Sequence, residues 1–544
     1  MLTGGTFLMS SPPPRGHLSV SVTLWDLLSM PDVAGLILDN LRADHQAVLG
    51  SVSKRGKQLV EQNVVTEHLR LLDCLKVDVL VLRTLVQRAI TRGAAFKAVD
   101  ISGCQQLREG WSQVEAILVG LGRLRELRME GGPLVCVNAH TVTGLVRRLS
   151  SVAESVSFDV LARDVGTAGA EVLAAALRDA NCKLQTLDIS GNLIRDAGAE
   201  VLAAALCDPN CQLHTLHITG NRFGAAAAEA LAGALRDANC KLTTLNIAWN
   251  EDVGAAGAEV LAAALGDANC KLQTLNIAGN EVGDAGAEAF AAVLRKATCK
   301  LRTLYLTRNC IGEVGAAALA AALRDADCKL QTLNIARNLI GVPGVQVVAA
   351  AVQDANCKLQ GLAIGGDLED ADAETLATTL EHPNCKLLSL DIAGGDVGAD
   401  GAESLATALR GPSCKLQVLY IEDNCVGAAG AAALAAALRD ANCKLQTLDV
   451  SANELGDAGA ESLAAALRDA NCKLQLLGIA DNCVGAAGAE ALAAALRDAN
   501  CKLQTLKIVG NALGDTGVEL FATALRDADC KLRTLDVVGA HWHI

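Results

Sequence analysis

The sequence predicts an α/β solenoid, in which short strands and helices alternate in stacked units of about 29 residues. Three observations favour this fold class. Thirteen of the 20 cysteines form a series with successive spacings of 29 residues, apart from one of 30 and one of 28. The segment AAALRDANCKLQTL occurs three times without change. Hydrophobic residues make up 51% of the 544 residues but aromatic residues only 2%, which suits thin layers built from small aliphatic side chains.

The first half of each unit predicts a short strand and a turn. The unit that begins at Cys443 carries the pattern L-x-x-L-x-L-x-x-N-x-L, formed by Leu445, Leu448, Val450, Asn453 and Leu455. The alternation of Leu448, Asp449 and Val450 has the period of a strand with one buried face. Asn453 is expected to close the turn, because its amide can donate to and accept from backbone groups of the adjoining coil.

The second half of each unit predicts an amphipathic helix. In the same unit, Asp457 is expected to cap the helix N-terminus, and Leu463 and Leu467 lie four residues apart on one face. Alanines between them keep the helix thin, so that neighbouring helices can approach closely. Because no single unit can bury its own apolar face, the units must stack.

This pattern resembles leucine-rich repeats of the ribonuclease-inhibitor type. The resemblance implies a horseshoe with parallel strands on the concave side and helices on the convex side. Residues 182–544 are predicted to hold the regular repeats, and residues 94–181 hold weaker copies centred on Val99, Leu127 and Val156. Together they predict about sixteen coils between residues 94 and 540.

The N-terminal segment predicts a small helical module. Residues 1–20 are expected to be a flexible leader, residues 21–65 a module of short amphipathic helices, and residues 66–93 a linking helix or cap. The module resembles an F-box in its Leu-Pro-like start, its Ile-Leu pair and its Val-Ser-Lys-Arg step, although Gly56 stands where that family usually has Trp. The residues that would bind a Skp-type adaptor of a cullin–RING ubiquitin ligase are Pro31, Leu36, Ile37, Leu41 and Val52. The alternative is a cap that shields the first coil.

Charge and composition exclude several classes of function. The net charge is −14, which argues against general nucleic-acid binding. The first 30 residues lack the pattern of a signal peptide, and no apolar run reaches the ~20 residues that cross a bilayer. The expected location is the cytoplasm, with the nucleus as the alternative. The repeat cysteines are therefore expected to be reduced, buried and small, rather than paired in disulfides.

No catalytic motif is visible in the sequence. The segment 50–58 has the wrong spacing for a P-loop, and Gln58 replaces the Ser or Thr that would hold magnesium. His541 and His543 flank Trp542 near the end, but two lone histidines do not indicate a metal site. Ran GTPase-activating proteins share this class of repeat, yet no arginine here stands out as theirs. The sequence therefore predicts a protein that is not an enzyme and that uses no cofactor or metal.

Differences between the units predict where a partner would bind. The exposed strand position and the turn after it are mostly small or polar, so aromatic, basic and acidic side chains stand out there. The first patch consists of His217, Trp249, Tyr305, Arg308 and Arg337. The second, acidic patch consists of Asp391, Tyr420, Glu422, Asp423, Asp449 and Asp481. The alternative is random drift between duplicated units.

The asparagine position is interrupted between the two patches. Asp367 and Gly395 stand where every other regular unit with a complete turn has asparagine, and the only 28-residue spacing lies beside them. The sequence therefore predicts a softer joint near residues 357–395.

The function that follows is protein binding through the concave strand surface, with delivery of the bound protein to a ubiquitin ligase. A stand-alone binding protein, similar to ribonuclease inhibitor or to the repeats of nucleotide-binding immune sensors, is the alternative. A Ran-type GTPase activator is a third, less favoured interpretation.

Overall fold

The computed structural model describes residues 68–70, 98–100, 126–128, 155–157, 166–250 and 252–537. These residues fall into two compact units. Unit 1 holds the described residues up to Leu193 together with Asn210–Leu213, and unit 2 holds Ile194–Pro209 and the described residues from His214 onward. The segment 21–65, which carries the predicted adaptor-binding residues, lies outside the described residues.

Unit 1 contains five parallel strands that pair in chain order. They are β1 (His68–Arg70), β2 (Ala98–Asp100), β3 (Glu126–Arg128), β4 (Ser155–Ser157) and β5 (Thr186–Asp188), and helix α1 (Gly166–Leu177) precedes β5. β2, β3 and β4 are centred on Val99, Leu127 and Val156, where the weaker repeat copies placed them. β1 lies within the segment 66–93, for which the sequence predicted a linking helix or cap.

Unit 2 alternates one helix with one strand along its whole described length. Its helices are α2 (Arg195–Leu206), α3 (Ala225–Arg236), α4 (Gly254–Leu265), α5 (Gly283–Leu294), α6 (Glu313–Leu323), α7 (Gly341–Val352), α8 (Asp370–Glu381), α9 (Ala399–Arg410), α10 (Gly427–Leu438), α11 (Gly456–Leu467), α12 (Ala486–Leu496) and α13 (Gly514–Ala524). Its strands are β6 (Thr215–His217), β7 (Thr244–Asn246), β8 (Thr274–Asn276), β9 (Thr303–Tyr305), β10 (Thr332–Asn334), β11 (Gly361–Ala363), β12 (Ser389–Asp391), β13 (Val418–Tyr420), β14 (Thr447–Asp449), β15 (Leu476–Gly478), β16 (Thr505–Lys507) and β17 (Thr534–Asp536). The predicted α/β solenoid is confirmed.

The strands of unit 2 form a parallel sheet in chain order, with equivalent residues in register. From β6 to β16 the central leucine of each strand, such as Leu448, is buried in the core and lies opposite the leucine of the next strand. Parallel strands lie ~4.8 Å apart, whereas packed helices need ~8–10 Å. The strand side of unit 2 is therefore its concave side. None of the described helices is long and apolar enough to cross a bilayer.

The repeat asparagine holds adjacent coils together, as the sequence predicted. Asn482 is buried, and its Nδ2 donates to the Val450 carbonyl of the preceding coil at 2.8 Å. Its Oδ1 accepts from the backbone N–H groups of Asn453 at 2.9 Å and Leu455 at 3.3 Å. One amide thus satisfies three backbone groups of its neighbour, in a turn where the strand has already ended.

The recurring D-A-N-C-K segment makes a second set of bonds between coils. Asn471 donates through Nδ2 to the Arg439 carbonyl at 3.1 Å, and Lys473 donates through Nζ to the carbonyls of Ala441 at 3.0 Å and Cys443 at 2.6 Å. These carbonyls follow the C-terminus of the preceding helix, where backbone acceptors lack helical partners. The recurrence of this segment therefore has a structural cause.

The repeat cysteines are small buried side chains, as expected. Twelve of the thirteen are buried, Cys530 is half-buried, and none of the cysteines in the described part of the chain forms a disulfide. Burial raises the pKa of the Cys299, Cys357 and Cys472 thiols, which keeps them protonated and unreactive. Cys310, Cys425 and Cys483 lie in the turns and are exposed.

The prediction that Asp457 caps its own helix was wrong. The N-cap residue is Leu455, which makes no side-chain cap, and Gly456 at φ +57° leads directly into the helix. Asp457 instead accepts, through Oδ1, the N–H groups of Gly485 at 2.7 Å and Gly488 at 2.8 Å. These donors open α12, so Asp457 caps the helix of the next coil. Three further aspartates make the equivalent bonds: Asp196, Asp284 and Asp370.

The short coil, which begins at Cys357, lacks one residue in the turn after β11. Leu368 is buried in the place that Ile340 occupies one coil earlier, while Asp367 is exposed. Asp367 makes no hydrogen bond to another coil within the described residues, so it does not replace the repeat asparagine. A Cβ on Gly365 would lie 2.6 Å from the backbone nitrogen of Ala393, so the glycine lets the two backbones approach directly.

Replacing Asp457 by alanine is expected to weaken α12 rather than α11. Loss of a cap costs ~1 kcal/mol, so amide hydrogen exchange in the first turn of α12 should accelerate about fivefold. Asp400→Ala is the matched control, because Asp400 is also a first-turn aspartate but is exposed and caps no neighbouring helix. Faster exchange in α11 alone would contradict the assignment.

Candidate partner-binding surface

The strand face of unit 2 is a regular platform on which few side chains stand out. Its strand position is the third residue of each strand, and register sets these residues side by side. From β6 to β16 the position reads His217, Asn246, Asn276, Tyr305, Asn334, Ala363, Asp391, Tyr420, Asp449, Gly478 and Lys507. At ~4.8 Å per strand, Tyr305 and Tyr420 lie about 19 Å apart.

A second row of side chains comes from the turn residue that immediately precedes the repeat asparagine. Trp249, Arg308, Arg337, Asp423 and Asp481 all occupy this position in the left-handed conformation, with φ between 52° and 58°. Non-glycine residues seldom adopt this conformation, and here the cross-coil bonds of the adjacent asparagine or backbone stabilise it. The turn therefore directs these large side chains along the strand face.

The structure brings Trp249 and Arg308 of the first patch together. The Arg308 guanidinium carbon lies 5.6 Å from the centre of the Trp249 ring, which is the geometry of a cation–π contact. The ring lies flat over Gly279 of the intervening coil, where a Cβ would come within 2.5 Å of it. Trp249 nevertheless remains 45% exposed. The pair is thus fixed in place while it offers both an aromatic surface and a cation to solvent.

The other residues of the first patch lie farther apart. Tyr305 is half-buried on β9, and burial raises the pKa of its hydroxyl. His217 is half-buried on β6, about 14 Å from Tyr305 at ~4.8 Å per strand. Arg337 is exposed, and its Nη2 lies 3.2 Å from where a Cβ on Gly394 would be, two coils further on. Arg337 therefore extends towards the second patch.

The second patch centres on Asp449, which the sequence placed at an exposed position. Asp449 is in fact only 1% exposed. Gly478 on the next strand has no side chain, so the carboxylate folds over it, and a Cβ there would collide with Asp449. Ser451 donates from its Oγ to Oδ1 at 2.5 Å, and Lys507 contacts Oδ2 at 3.4 Å. Lys507 belongs to this site although the sequence analysis left it out of the patch.

Crowded carboxyl groups alter the protonation of the second patch. Burial, followed by the hydrogen bond and the charge of Asp449, raises the pKa of Glu422 to about 8. Glu422 is therefore mostly protonated at neutral pH. Burial raises the pKa of Tyr420, and the charges of Asp449, Glu422 and Asp391 add to this effect. Burial also raises the pKa of Asp391, an effect that the Ala393 backbone N–H and the positive charge of Arg337 oppose.

Asp423 and Asp481 are exposed at the turn position of the coils before and after that of Asp449. No group of three or more potential metal-ligating side chains occurs among the described residues. What the surface offers is an aromatic–cation pair at one end and a partly protonated acidic cluster with one lysine at the other.

Comparison with known proteins agrees with this architecture. The family sequence profile described as "Leucine Rich repeat" matches ten segments of the chain. The matched residues are 180–203, 210–232, 238–262, 268–291, 298–320, 384–406, 413–435, 441–464, 470–493 and 499–522. The chain carries leucine-rich repeats. The two leucine-rich coils that begin at Cys328 and Cys357 lie between the fifth and sixth matches and are not matched.

The solved structures that match the chain are distant in sequence. An internalin (inlF) from Listeria monocytogenes is 16% identical with a TM-score of 0.35, and the alignment covers 71% of this chain and 85% of that one. The Rad7 and Elc1 complex from yeast is also 16% identical, with a TM-score of 0.43 and the same coverage. The TLR13–ssRNA13 complex is 15% identical with a TM-score of 0.31, covering 81% of this chain and 65% of that one. No curated protein sequence matches the chain significantly.

Replacing Glu422 by glutamine is expected to flatten the pH dependence of stability. Because the folded state raises the pKa of Glu422 to about 8 from the ordinary 4.5, the folded protein holds a proton that the unfolded chain releases. This contribution to stability is complete below pH 4.5 and is lost as the pH rises towards 8. Between pH 5.5 and 8.5, the thermal midpoint of the wild type should therefore fall about 2 °C further than that of Glu422→Gln.

Glu461→Gln, at an exposed helix position, is the control. Equal pH slopes in wild type and Glu422→Gln would contradict the raised pKa of Glu422.

Proposed function

We propose that this leucine-rich-repeat protein is a non-catalytic scaffold that binds a protein partner on the strand face of unit 2. The observation that carries the proposal is the exposed Trp249 ring held by Arg308. Tryptophan, tyrosine and arginine are the residues that most often dominate the energy of protein interfaces. A tryptophan that is already fixed in position also loses little conformational entropy when a partner covers it.

The charge distribution supports the same function. From β6 to β10 the strand position has no acidic side chain, although the whole protein carries a net charge of −14. From β12 to β14 the face is acidic. Because Arg308 and Arg337 in the turns make the first stretch basic, the surface has two regions of opposite charge. Such a pattern fixes the orientation of a partner and rejects partners with the wrong charge pattern.

The proposal includes the delivery of the bound protein to a cullin–RING ubiquitin ligase. It rests on the resemblance of residues 21–65 to an F-box, and Leu36, Ile37 and Leu41 are the residues expected to contact a Skp-type adaptor. The two activities use separate parts of the chain, so each can be removed alone.

A single affinity-capture experiment with the full-length protein tests both parts. Tyr305→Ala with Arg308→Ala should reduce capture of the endogenous partner at least tenfold, without loss of purified Skp-type adaptor. Leu36→Ala with Ile37→Ala and Leu41→Ala should do the opposite. The thermal midpoint should change little in the first variant, because Arg308 is exposed and Tyr305 lies half-buried on the strand face, outside the core.

Two outcomes would contradict parts of the proposal. Unchanged partner capture by the Tyr305/Arg308 variant would exclude the first patch as the binding site. Failure of the wild type to bind the adaptor, with partner capture intact, would leave the stand-alone scaffold as the function.

A further inference from the structure

The helices of unit 2 pack least closely at the seam between α7 and α8. Each helix of unit 2 approaches the preceding helix at its first buried position. This position holds glycine in every helix except α3, where it is alanine, and α8. The approach there is close: a Cβ on Gly459 would lie 3.3 Å from the Cβ of Ala431. In α8 this position holds Asp372, which is only 3% exposed.

Asp372 is only partly satisfied. Its Oδ2 accepts the backbone N–H of Glu369 at 3.2 Å, which closes the N-terminus of α8. Its Oδ1 is buried and has no hydrogen-bond partner among the described residues. A buried oxygen without a partner destabilises the packing around it. Accordingly, α7 and α8 contact each other less than any other neighbouring helices of unit 2.

The same seam is weak on the turn side. Asn338 makes the usual bonds to the coil before it, because its Oδ1 accepts from Asn309 at 2.8 Å and Ile311 at 3.1 Å. The next coil, however, is one residue short and has no asparagine to accept the Asn338 N–H. Between its first and last matches, the family profile skips only the two coils that meet at this seam. Helix packing, turn bonding and sequence divergence thus coincide at one place.

We infer that unit 2 opens reversibly at the seam between the coils of β10–α7 and β11–α8, which makes this seam a built-in hinge. Neighbouring repeats contact only each other, so a weak interface can open without unfolding the coils on either side. The opening would change the spacing between Arg308 on one side and the acidic residues on the other. The inference is independent of the proposed function, because it concerns the isolated protein.

Hydrogen exchange of the full-length protein measures the opening directly. The N–H of Ile335 donates to Ala363 at 2.8 Å and that of Gly361 donates to Gln331 at 3.0 Å, so both bonds cross the seam. The reference bonds cross β13–β14, from Ile421 to Asp449 at 3.0 Å and from Thr447 to Gln417 at 3.0 Å. We expect the seam amides to exchange about tenfold faster than the reference amides. Equal rates at the two places would overturn the hinge.

Two substitutions test whether Asp372 causes the faster exchange: one removes the aspartate from α8, and the other introduces an aspartate at the same position of α11. Asp372→Gly restores the residue of the other helices and should slow the seam amides severalfold towards the reference rate, although the missing turn asparagine keeps them faster than the reference. Gly459→Asp places a carboxylate at the equivalent position of α11 and should accelerate exchange of the Ile421 and Thr447 amides. If Gly459→Asp does not fold, the wild type and Asp372→Gly still decide the matter. Seam exchange that Asp372→Gly leaves unchanged would exclude Asp372 as the cause.

Discussion

The amide of the repeat asparagine holds the coils of unit 2 together. The strands are only three residues long, so they alone cannot fix the position of one coil against the next. The asparagine extends hydrogen bonding between coils into the turn, where the backbone would otherwise be buried without partners. Lysine and asparagine side chains do the same behind the preceding helix. Each coil that carries the asparagine is thus bonded to its neighbour at both ends of its strand.

This bonding leaves the strand face free for function. Because backbone bonds and buried leucines determine the register, the third residue of each strand can vary without loss of the fold. The left-handed turn adds a second variable position, at which Trp249 and Asp481 each lie over a glycine of the next coil. Trp249 over Gly279 and Asp449 over Gly478 show the same principle, in which the absence of one side chain positions another.

The sequence was sufficient for the features that repeat. It predicted the period, the strand positions, the buried cysteines and the role of Asn453. It failed where a side chain acts on another coil. Asp457 caps the next helix, and Asp449 is buried because of a glycine 29 residues away.

Two residues that the sequence prediction missed, Lys507 and Asp372, could have been found from the sequence. Lys507 is the only basic residue among the strand positions after β6, and it lies two strands from Asp449. Asp372 is the one departure from glycine or alanine at its helix position in unit 2. What sequence reasoning lacked in both cases was the knowledge of which neighbour each residue meets, and this depends on packing rather than on spacing.

The central claim is that the repeat asparagine holds its coil to the one before it. Substitution of one such asparagine tests this claim most directly. In Asn453→Ala, the Val426 N–H loses the Oδ1 acceptor that lies at 3.1 Å, and the Ile421 carbonyl loses its Nδ2 donor at 2.8 Å. Asn442→Ala is the control, because Asn442 makes its bond to the preceding coil from an exposed position. The account predicts about tenfold faster hydrogen exchange in the two coils joined by Asn453, and unchanged exchange three coils away. Exchange in those two coils that matches the control would contradict it.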